Sequence, residues 1–133
     1  MIYPIYILSR GRYDKSLTAN CLMEYNVPYT IFVEPQEEKQ YKNKFGSDAI
    51  HIIPDNDQGI AYVRNYINDY SMKQFDKKHW QLDDNIKSFR RRINNKNVKD
   101  DPYILLTEAE QEVEKYSNIG RASLAYTTLR FWR

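Results

Sequence analysis

The sequence predicts an α/β sandwich with a mostly parallel central sheet. Short apolar runs rich in β-branched and aromatic residues alternate with short amphipathic segments through residue 83. This alternation is typical of β-α units whose helices cover both faces of a sheet. Polar and charged residues directly follow the apolar runs, and ligands of such sheets bind beyond the carboxyl ends of the strands.

Four strands are predicted from these runs, at residues 2–8, 29–33 and 50–53 and in the run that ends at Asp83. The first helix is predicted to begin after Asp14 or Ser16, which are good capping residues. A second, polar helix is predicted over residues 36–44, with Gly46 in the position that follows a helix end. The third begins at Gly59.

Beyond the fourth strand the composition changes. Residues 87–99 contain three consecutive arginines and an Asn/Lys-rich run, which predicts a mobile or solvated segment or, alternatively, a basic loop that contacts nucleic-acid phosphates. Asp101-Pro102 is predicted to start a new element. Thr107 and Glu110 form a capping-box pattern for a helix that reaches about Tyr116. Residues 119–132 are rich in aromatic and β-branched residues and predict a further strand.

Length and composition limit the kind of protein. A chain of 133 residues predicts a single domain over residues 1–133. The net charge of +2 does not by itself indicate a nucleic-acid binder. A single cysteine, Cys21, excludes an internal disulfide and a zinc cluster. No apolar run approaches the roughly 20 residues that cross a bilayer, and the first strand lacks the features of a signal peptide, so we expect a cytoplasmic protein with no membrane contact.

The first strand leads into Ser9-Arg10-Gly11-Arg12. A polar, glycine-containing loop between a strand and a helix is the usual place for a nucleotide in an α/β sheet. Two arginines there could clamp a diphosphate or stack on a base. The alternative is a solvated loop in which Gly11 makes the turn. The loop matches neither the dinucleotide fingerprint nor the Walker motif.

Two further residues flank strand ends. Glu34 closes the second strand and could accept a hydrogen bond from a base or a ribose, or it is an ordinary exposed strand end. Arg64 lies near the start of the third helix, where the helix dipole disfavours a cation, so an anionic or planar partner is predicted for it. Because the carboxyl ends of parallel strands share one edge, these groups and the acidic tip after the fourth strand are predicted to line one cleft.

That tip is Asp83-Asp84-Asn85. Two carboxylates and an amide at a strand end are oxygen ligands of the kind that Mg²⁺ or Mn²⁺ prefers. The alternative is an acidic turn, since Asp and Asn are common turn residues. Adjacent strand residues point to opposite faces. We therefore expect Asp84 to reach a metal, directly or through water, and Asp83 to face the nucleotide.

Four segments, taken in order, resemble a known family. They are Tyr6-Ile7-Leu8-Ser9-Arg10-Gly11-Arg12, Ile31-Phe32-Val33-Glu34-Pro35, Gly59-Ile60-Ala61-Tyr62-Val63-Arg64-Asn65 and Trp80-Gln81-Leu82-Asp83-Asp84-Asn85-Ile86. Together they are similar to GT-A glycosyltransferases and, in detail, to the phage TET-associated glycosyltransferase family. The resemblance implies a Rossmann-like GT-A fold and metal-dependent transfer of a sugar from a nucleoside-diphosphate sugar, UDP-linked, to a hydroxyl on a hypermodified pyrimidine in DNA.

The resemblance also implies roles for individual residues. It assigns contacts with the donor to residues that follow or flank the strands: Ser9, Arg10, Arg12, Glu34, Gly59, Arg64 and Asp83. It places Asp83, Asp84 and Asn85 on the family's DxD motif, which holds Mn²⁺ or Mg²⁺. Asn85 stands where that motif has a carboxylate and is a weaker ligand, so the main ligand role moves to Asp84.

Glycosyltransferases of this fold usually continue into an acceptor-binding half. We therefore expect this chain to lack a full acceptor half and to be a donor-binding core, a truncated protein or one part of an assembly. The resemblance identifies no catalytic base. An alternative is a non-catalytic nucleotide- or DNA-binding module of the same fold. A nucleotidyltransferase of similar topology is a lesser enzymatic rival, which would release pyrophosphate. The sequence leaves the oligomeric state open.

Overall fold

The computed structural model describes residues 2–74 and 78–124, which belong to two compact units. Tyr3–Ser88 forms one unit. The described residues from Phe89 onward belong, with Ile2, to the other. The central sheet and all the candidate donor and metal residues lie in the first unit, so the fold of that unit positions the site.

The first unit contains four strands: β1 (Ile5–Leu8), β2 (Thr30–Val33), β3 (Ile50–Ile52) and β4 (Trp80–Asp83). Three helices connect them: α1 (Leu17–Glu24), α2 (Glu38–Phe45) and α3 (Ile60–Lys73). Short 3-10 turns at Pro35–Glu37 and Ser47–Ala49 flank α2. The strands and helices predicted in this region are confirmed. Gly46 ends α2 with a φ of 84°, in the left-handed region that glycine favours.

All four strands are parallel, in the order β3-β2-β1-β4. Leu8, the last residue of β1, lies opposite Phe32 of β2 and opposite Asp83 of β4. The carboxyl ends of the strands therefore meet at one edge. The predicted α/β sandwich is confirmed, with a central sheet that is entirely parallel in its described strands.

The strand order contains one reversal. From β1 the chain moves outward to β2 and β3, and then returns to place β4 on the other side of β1. Because such crossovers are right-handed, α1 and α2 lie on one face of the sheet and α3 on the opposite face. The loops after β1 and β3 consequently lead to opposite faces of the sheet. A switch point of this kind opens the crevice in which ligands of parallel sheets bind.

Both faces of the sheet are covered. On the α3 face, Tyr6, Leu8 and Phe32 form a buried cluster with Ile53 and Ile67, and four partly buried side chains of α3 pack against it: Tyr62, Val63, Tyr66 and Tyr70. Residues that alternate with these along the strands point to the opposite face, and they too are buried: Ile7, Ile31 and Val33. Burial on both faces explains why β1 and β2 are continuous apolar runs in the sequence.

The second unit contains a hairpin of β5 (Arg90–Ile93) and β6 (Lys96–Lys99), followed by α4 (Pro102–Glu114). The segment predicted to be mobile or solvated at residues 87–99 is solvated, because its strands are exposed, and it forms a regular hairpin that the sequence did not predict. Its two-residue turn is Asn94-Asn95, whose φ values of 50° and 64° suit the tight turns that connect antiparallel strands. Asparagine tolerates this left-handed conformation better than most residues.

The start of α4 agrees with the new element predicted at Asp101-Pro102 but not with the predicted capping box. Asp101 caps the helix, with its carboxylate accepting a hydrogen bond from the Tyr103 N–H at 2.8 Å, and Pro102 occupies the first turn. Thr107 lies inside the helix, where its hydroxyl donates to the Tyr103 carbonyl at 2.7 Å. The capping box predicted for Thr107 and Glu110 is therefore wrong.

Within the described residues, the strand predicted at residues 119–132 is wrong. Residues 119–124 lie in no strand, and the remainder of that prediction lies outside the described residues. None of the helices in the described part of the chain is long and apolar enough to cross a membrane.

Candidate functional site

The carboxyl edge of the sheet carries charged side chains joined by hydrogen bonds and ion pairs. Residues after β1, β2 and β4 contribute to this edge, together with the first turns of α3. Three groups each contain an arginine paired with a carboxylate after a strand: Arg10 with Glu34, Arg12 with Asp84, and Arg64 with Asp83. The sequence prediction named all six of these residues but not this pairing.

Glu34 holds Arg10 and the loop before α3. The Glu34 side chain is only 7% exposed, and its Oε1 lies 3.1 Å from the Arg10 Nε. Its Oε2 accepts the backbone N–H of Asp57, whose own carboxylate binds the far end of the Arg10 guanidinium. Both carboxylate oxygens of Glu34 are thus engaged within the protein. The predicted contact between Glu34 and a base or ribose stays a prediction.

The β3–α3 loop completes this first group. Asp57 has a φ of 58° and Gly59, which precedes α3, has a φ of 87°. Such values favour glycine at position 59. The Gln36 amide donates to Asp57 at 3.2 Å and to Glu34 at 3.3 Å. Sequence reasoning missed Asp57 and Gln36, because the first resembles an ordinary turn residue and the second belongs to a polar helical pattern.

The second group is a chain of hydrogen bonds beneath Asp84. The Ser9 hydroxyl donates to Asp84 Oδ2 at 2.8 Å and lies 2.6 Å from the Tyr41 hydroxyl. Tyr41 also accepts the backbone N–H of Arg12 at 3.0 Å. Since the one proton of Ser9 goes to the carboxylate, Tyr41 donates its own proton to Ser9. Hydrogen bonds aligned in this order polarise and strengthen one another.

Tyr41 is fully buried, and this burial raises the pKa of its hydroxyl, with the bond to Ser9 acting in the opposite direction. It therefore remains protonated and able to donate at neutral pH. No local pattern indicates its role, because Tyr41 lies in a short helix with mostly polar neighbours. Its contact with the loop after β1 arises only when α2 packs beside the sheet.

The turn after β4 is tied to the start of α1. The Asp84 carbonyl accepts the Leu17 N–H at 3.1 Å, and the Thr18 hydroxyl donates to the Asp83 carbonyl. Ser16 occupies the N-cap position of α1 but makes no side-chain cap bond. The Asp84 carbonyl thus takes over part of the capping role, which fixes the acidic tip against a helix end.

Arg64 and Asp83 form the third group. The Arg64 guanidinium donates to Asp83 Oδ1 at 3.1 Å and to the Gln81 side chain at 3.4 Å, while the Gln81 amide binds Asn68 at 2.8 Å. The anionic partner predicted for Arg64 is thus Asp83. Asp83 turns towards α3 and Asp84 towards Ser9, as expected of neighbours at a strand end.

The acidic tip offers the oxygen ligands that a divalent cation prefers. Its side chains are not arranged as a complete metal site. Asp84 is 14% exposed and its Oδ1 lies 3.7 Å from the Arg12 Nε, while Asn85 is exposed in the turn. Within residues 2–74 and 78–124 no three His, Cys, Asp or Glu side chains are grouped as a metal site. Mg²⁺ commonly takes only one or two protein carboxylates and completes its shell with substrate phosphates and water.

The family comparison agrees with this geometry. The model of the TET-associated glycosyltransferase family matches residues 3–131 of the 133-residue chain, well beyond the four segments that carried the resemblance. No curated protein and no solved structure gives a significant match. A glycosyltransferase implies a nucleotide-sugar donor, and the charged edge lies where a parallel sheet binds nucleotides. The chain belongs to the TET-associated glycosyltransferase family.

Proposed function

We propose that this protein transfers a sugar from a UDP-sugar to the hydroxyl of a hypermodified pyrimidine in phage DNA. The observation that carries the proposal is the set of three arginines beside the β1–β4 switch point. Guanidinium groups bind phosphate oxygens through paired N–H donors, and the crevice at a switch point is the usual nucleotide site. Family membership supplies the reaction class.

The charge of this edge supports a metal-dependent donor complex. The three arginines contact four carboxylates, those of Glu34, Asp57, Asp83 and Asp84. The connected groups therefore carry a net negative charge at neutral pH. A diphosphate is also anionic, so it would meet repulsion here unless a cation accompanied it. We propose Mn²⁺ or Mg²⁺ in this role, held by Asp84 with Asp83 or Asn85 beside it.

Side chains of the protein itself are proposed to stabilise the leaving group and to hold the metal ligand. Arg10 is held by Glu34 and Asp57 before any donor arrives, and Arg64 is held by Asp83. Donors fixed in advance stabilise developing charge on a leaving group without reorganising. The Ser9 hydroxyl fixes Oδ2 of Asp84. A divalent ion, when bound, supplies Lewis-acid neutralisation of the departing diphosphate.

In the proposed transfer the bond between the anomeric carbon and the diphosphate oxygen breaks. A bond from that carbon to the acceptor oxygen forms, the hydroxyl proton leaves to a base or to water, and UDP is released. Release of UDP distinguishes this reaction from nucleotidyl transfer, which releases pyrophosphate. The acceptor is proposed from the family resemblance and not from the geometry of this edge.

The second candidate function is a nucleotide- or DNA-binding module without turnover. It is favoured by the internal bonds of Asp83 and Asp84, whose carboxylates are engaged by Arg64 and Ser9. Hydrolysis of UDP-glucose separates the two candidates. An enzyme should release UDP slowly even without an acceptor, whereas a module should bind UDP and leave the donor intact.

Calorimetric titration of the full chain with UDP tests the metal assignment. Mn²⁺ should tighten UDP binding, because the ion links Asp84 to the diphosphate. Asp84→Asn should weaken the Mn²⁺-dependent binding by about 10-fold or more, on the order of 1.4 kcal/mol. Uridine, which has no phosphates, should bind the same with either chain.

Asp48→Asn is the matched control, since Asp48 is exposed in the turn Ser47–Ala49 and loses the same charge. Circular dichroism of both variants should overlay that of the natural chain. If UDP binds equally well in excess EDTA, or if Asp84→Asn leaves the Mn²⁺ effect intact, the acidic tip is only a turn.

A further inference from the structure

The loop after β1 sends two arginines to opposite sides of that strand. Arg10 pairs with carboxylates that follow β2 and β3, whereas Arg12 pairs with Asp84 after β4. In the sheet, β2 and β3 lie on one side of β1 and β4 lies on the other. The two guanidinium groups therefore flank the switch point, and the backbone at Gly11, the one residue between them, sets their relative positions.

Burial does not fix this loop. Residues 10–15 are exposed, and the side chains of Arg10 and Arg12 are 61% and 50% exposed. Gly11 has a φ of 66°, and glycine adopts positive and negative φ with similar ease. Without a restraint on the Gly11 backbone, the directions of the two arginines would therefore vary.

Two side chains from the segment after β2 restrain the loop. The Gly11 N–H donates to both carboxylate oxygens of Glu37, at 2.8 and 3.0 Å. The next N–H along the chain, that of Arg12, donates to the Tyr41 hydroxyl. Glu37 and Tyr41 are four residues apart and so lie on one side of the start of α2. Hydrogen bonds to an ionised acceptor are roughly twice as strong as neutral ones, which suits Glu37 to hold an exposed loop.

The Glu37 carboxylate has no comparable role in its own helix. It occupies the N-cap position of α2, all of whose residues are described, but makes no side-chain cap bond there. It also forms no ion pair with Arg10 or Arg12, both of which lie in the described part of the chain. A carboxylate that occupied an anion site would be expected to bind these arginines. Glu37 thus holds the backbone of the loop and leaves both guanidinium groups to their other partners.

We propose that Glu37 is a positioning residue for the donor, which holds Gly11 so that Arg10 and Arg12 reach a diphosphate from the two sides of the switch point. This role rests on the proposed function, because it needs a phosphate-bearing donor at that point. Groups that are fixed before binding save the cost of ordering them on binding. For the backbone of one residue, that cost is enough to change an affinity by about 10-fold.

Calorimetric titration of the full chain with UDP in the presence of Mn²⁺ tests this role. Glu37→Ala should weaken UDP binding by about 10-fold, equal to about 1.4 kcal/mol, because the donor must then order the loop. Glu37→Gln keeps an oxygen that accepts the Gly11 N–H and should recover most of the affinity. Uridine lacks the phosphates that the arginines would bind, so its affinity should not change with either substitution, whereas general damage to the sheet edge would weaken both ligands.

Glu38→Ala is the matched control. It removes the same charge and the same side chain from the next residue, whose carboxylate pairs with Lys42 of the same helix at 2.6 Å, and it should leave UDP affinity unchanged. The restraint is also measured without a donor, as hydrogen exchange of the Gly11 amide by NMR. This exchange should be faster in Glu37→Ala than in the natural chain or in Glu38→Ala.

Tighter UDP binding by Glu37→Ala would show that this carboxylate competes with the diphosphate, and would overturn the proposal. Equal losses in Glu37→Ala and Glu38→Ala would overturn it as well, as would Gly11 exchange that is the same in the natural chain and in Glu37→Ala. A natural chain that does not bind UDP would reject the proposed function and, with it, the donor role of Glu37. The exchange result would then still show whether Glu37 restrains the loop.

Discussion

At the scale of single residues, Ser9 and Tyr41 determine how Asp84 is presented to a ligand. The contact predicted between Ser9 and the nucleotide stays a prediction. In the structure the Ser9 hydroxyl links Asp84 to the buried Tyr41. Because Tyr41 also accepts the Arg12 N–H, one hydroxyl on α2 connects the loop after β1 to the acidic tip after β4.

Tyr41→Phe should therefore destabilise the protein and loosen the donor site that we propose. Removing the hydroxyl leaves the Arg12 N–H and the Ser9 Oγ without this partner, which costs about 1–3 kcal/mol when the groups are buried. Urea denaturation measures the first effect, and the Mn²⁺-dependent affinity for UDP, which should weaken, measures the second. Tyr116→Phe, at an exposed tyrosine, is the control. An unchanged urea midpoint for Tyr41→Phe would refute the proposed hydrogen-bond chain.

At the scale of elements, β3 and α3 are joined by a half-buried histidine. The His51 Nε2 lies 2.7 Å from the Tyr66 hydroxyl, and its ring centroid lies 4.5 Å from that of Tyr70 and 4.8 Å from that of Phe32. Burial lowers the pKa of His51 below 6.5. The sheet and α3 therefore pack around an imidazole that prefers to be neutral.

Stability should consequently fall as the pH drops below about 6.5. In that window the unfolded chain binds a proton at His51 that the native chain resists, so acidification favours unfolding. His51→Gln keeps a polar group near Tyr66 but does not titrate. Denaturation midpoints compared between pH of about 7.5 and 5.5 should decline less for this variant than for the natural chain. Parallel declines would show that His51 does not couple folding to pH.

The sequence correctly predicts the elements that are determined by buried apolar runs or by a local signal such as a terminating glycine. Buried apolar runs indicate β1 to β4, and Gly46 indicates the end of α2. The hairpin was missed because its strands are exposed and charged, so no apolar alternation marks them. Its Asn94-Asn95 turn is the signal that could have found it. For α4, the Asp101-Pro102 pair is a better start signal than a capping box within the helix.

The candidate site is predictable to the extent that sheet topology determines it. Parallel strands bring their carboxyl ends to one edge, which is why the sequence alone groups Glu34 and Asp83 with arginines. Tyr41 and Asp57 reach the same edge through the packing of α2 and the path of the β3–α3 loop. Contacts between residues distant in sequence leave no local pattern, so these two could not be identified.

At the scale of the whole molecule, the family match spans both compact units. It runs from residue 3 to residue 131, and so includes the hairpin and α4 as well as the parallel sheet. The sheet unit supplies the charged edge that we propose for the nucleotide.

Transfer of labelled sugar to DNA tests the central claim most directly. The full chain is incubated with Mn²⁺, DNA containing hydroxymethylated pyrimidines, and UDP-sugars labelled in the sugar, among them UDP-glucose, UDP-galactose and UDP-N-acetylglucosamine. We expect label to become bound to DNA with equimolar release of UDP. Asp84→Asn should lower the rate by about 10-fold or more, equal to about 1.4 kcal/mol, while Asp48→Asn should not. Release of pyrophosphate, or tight UDP binding with every donor left intact, would contradict it.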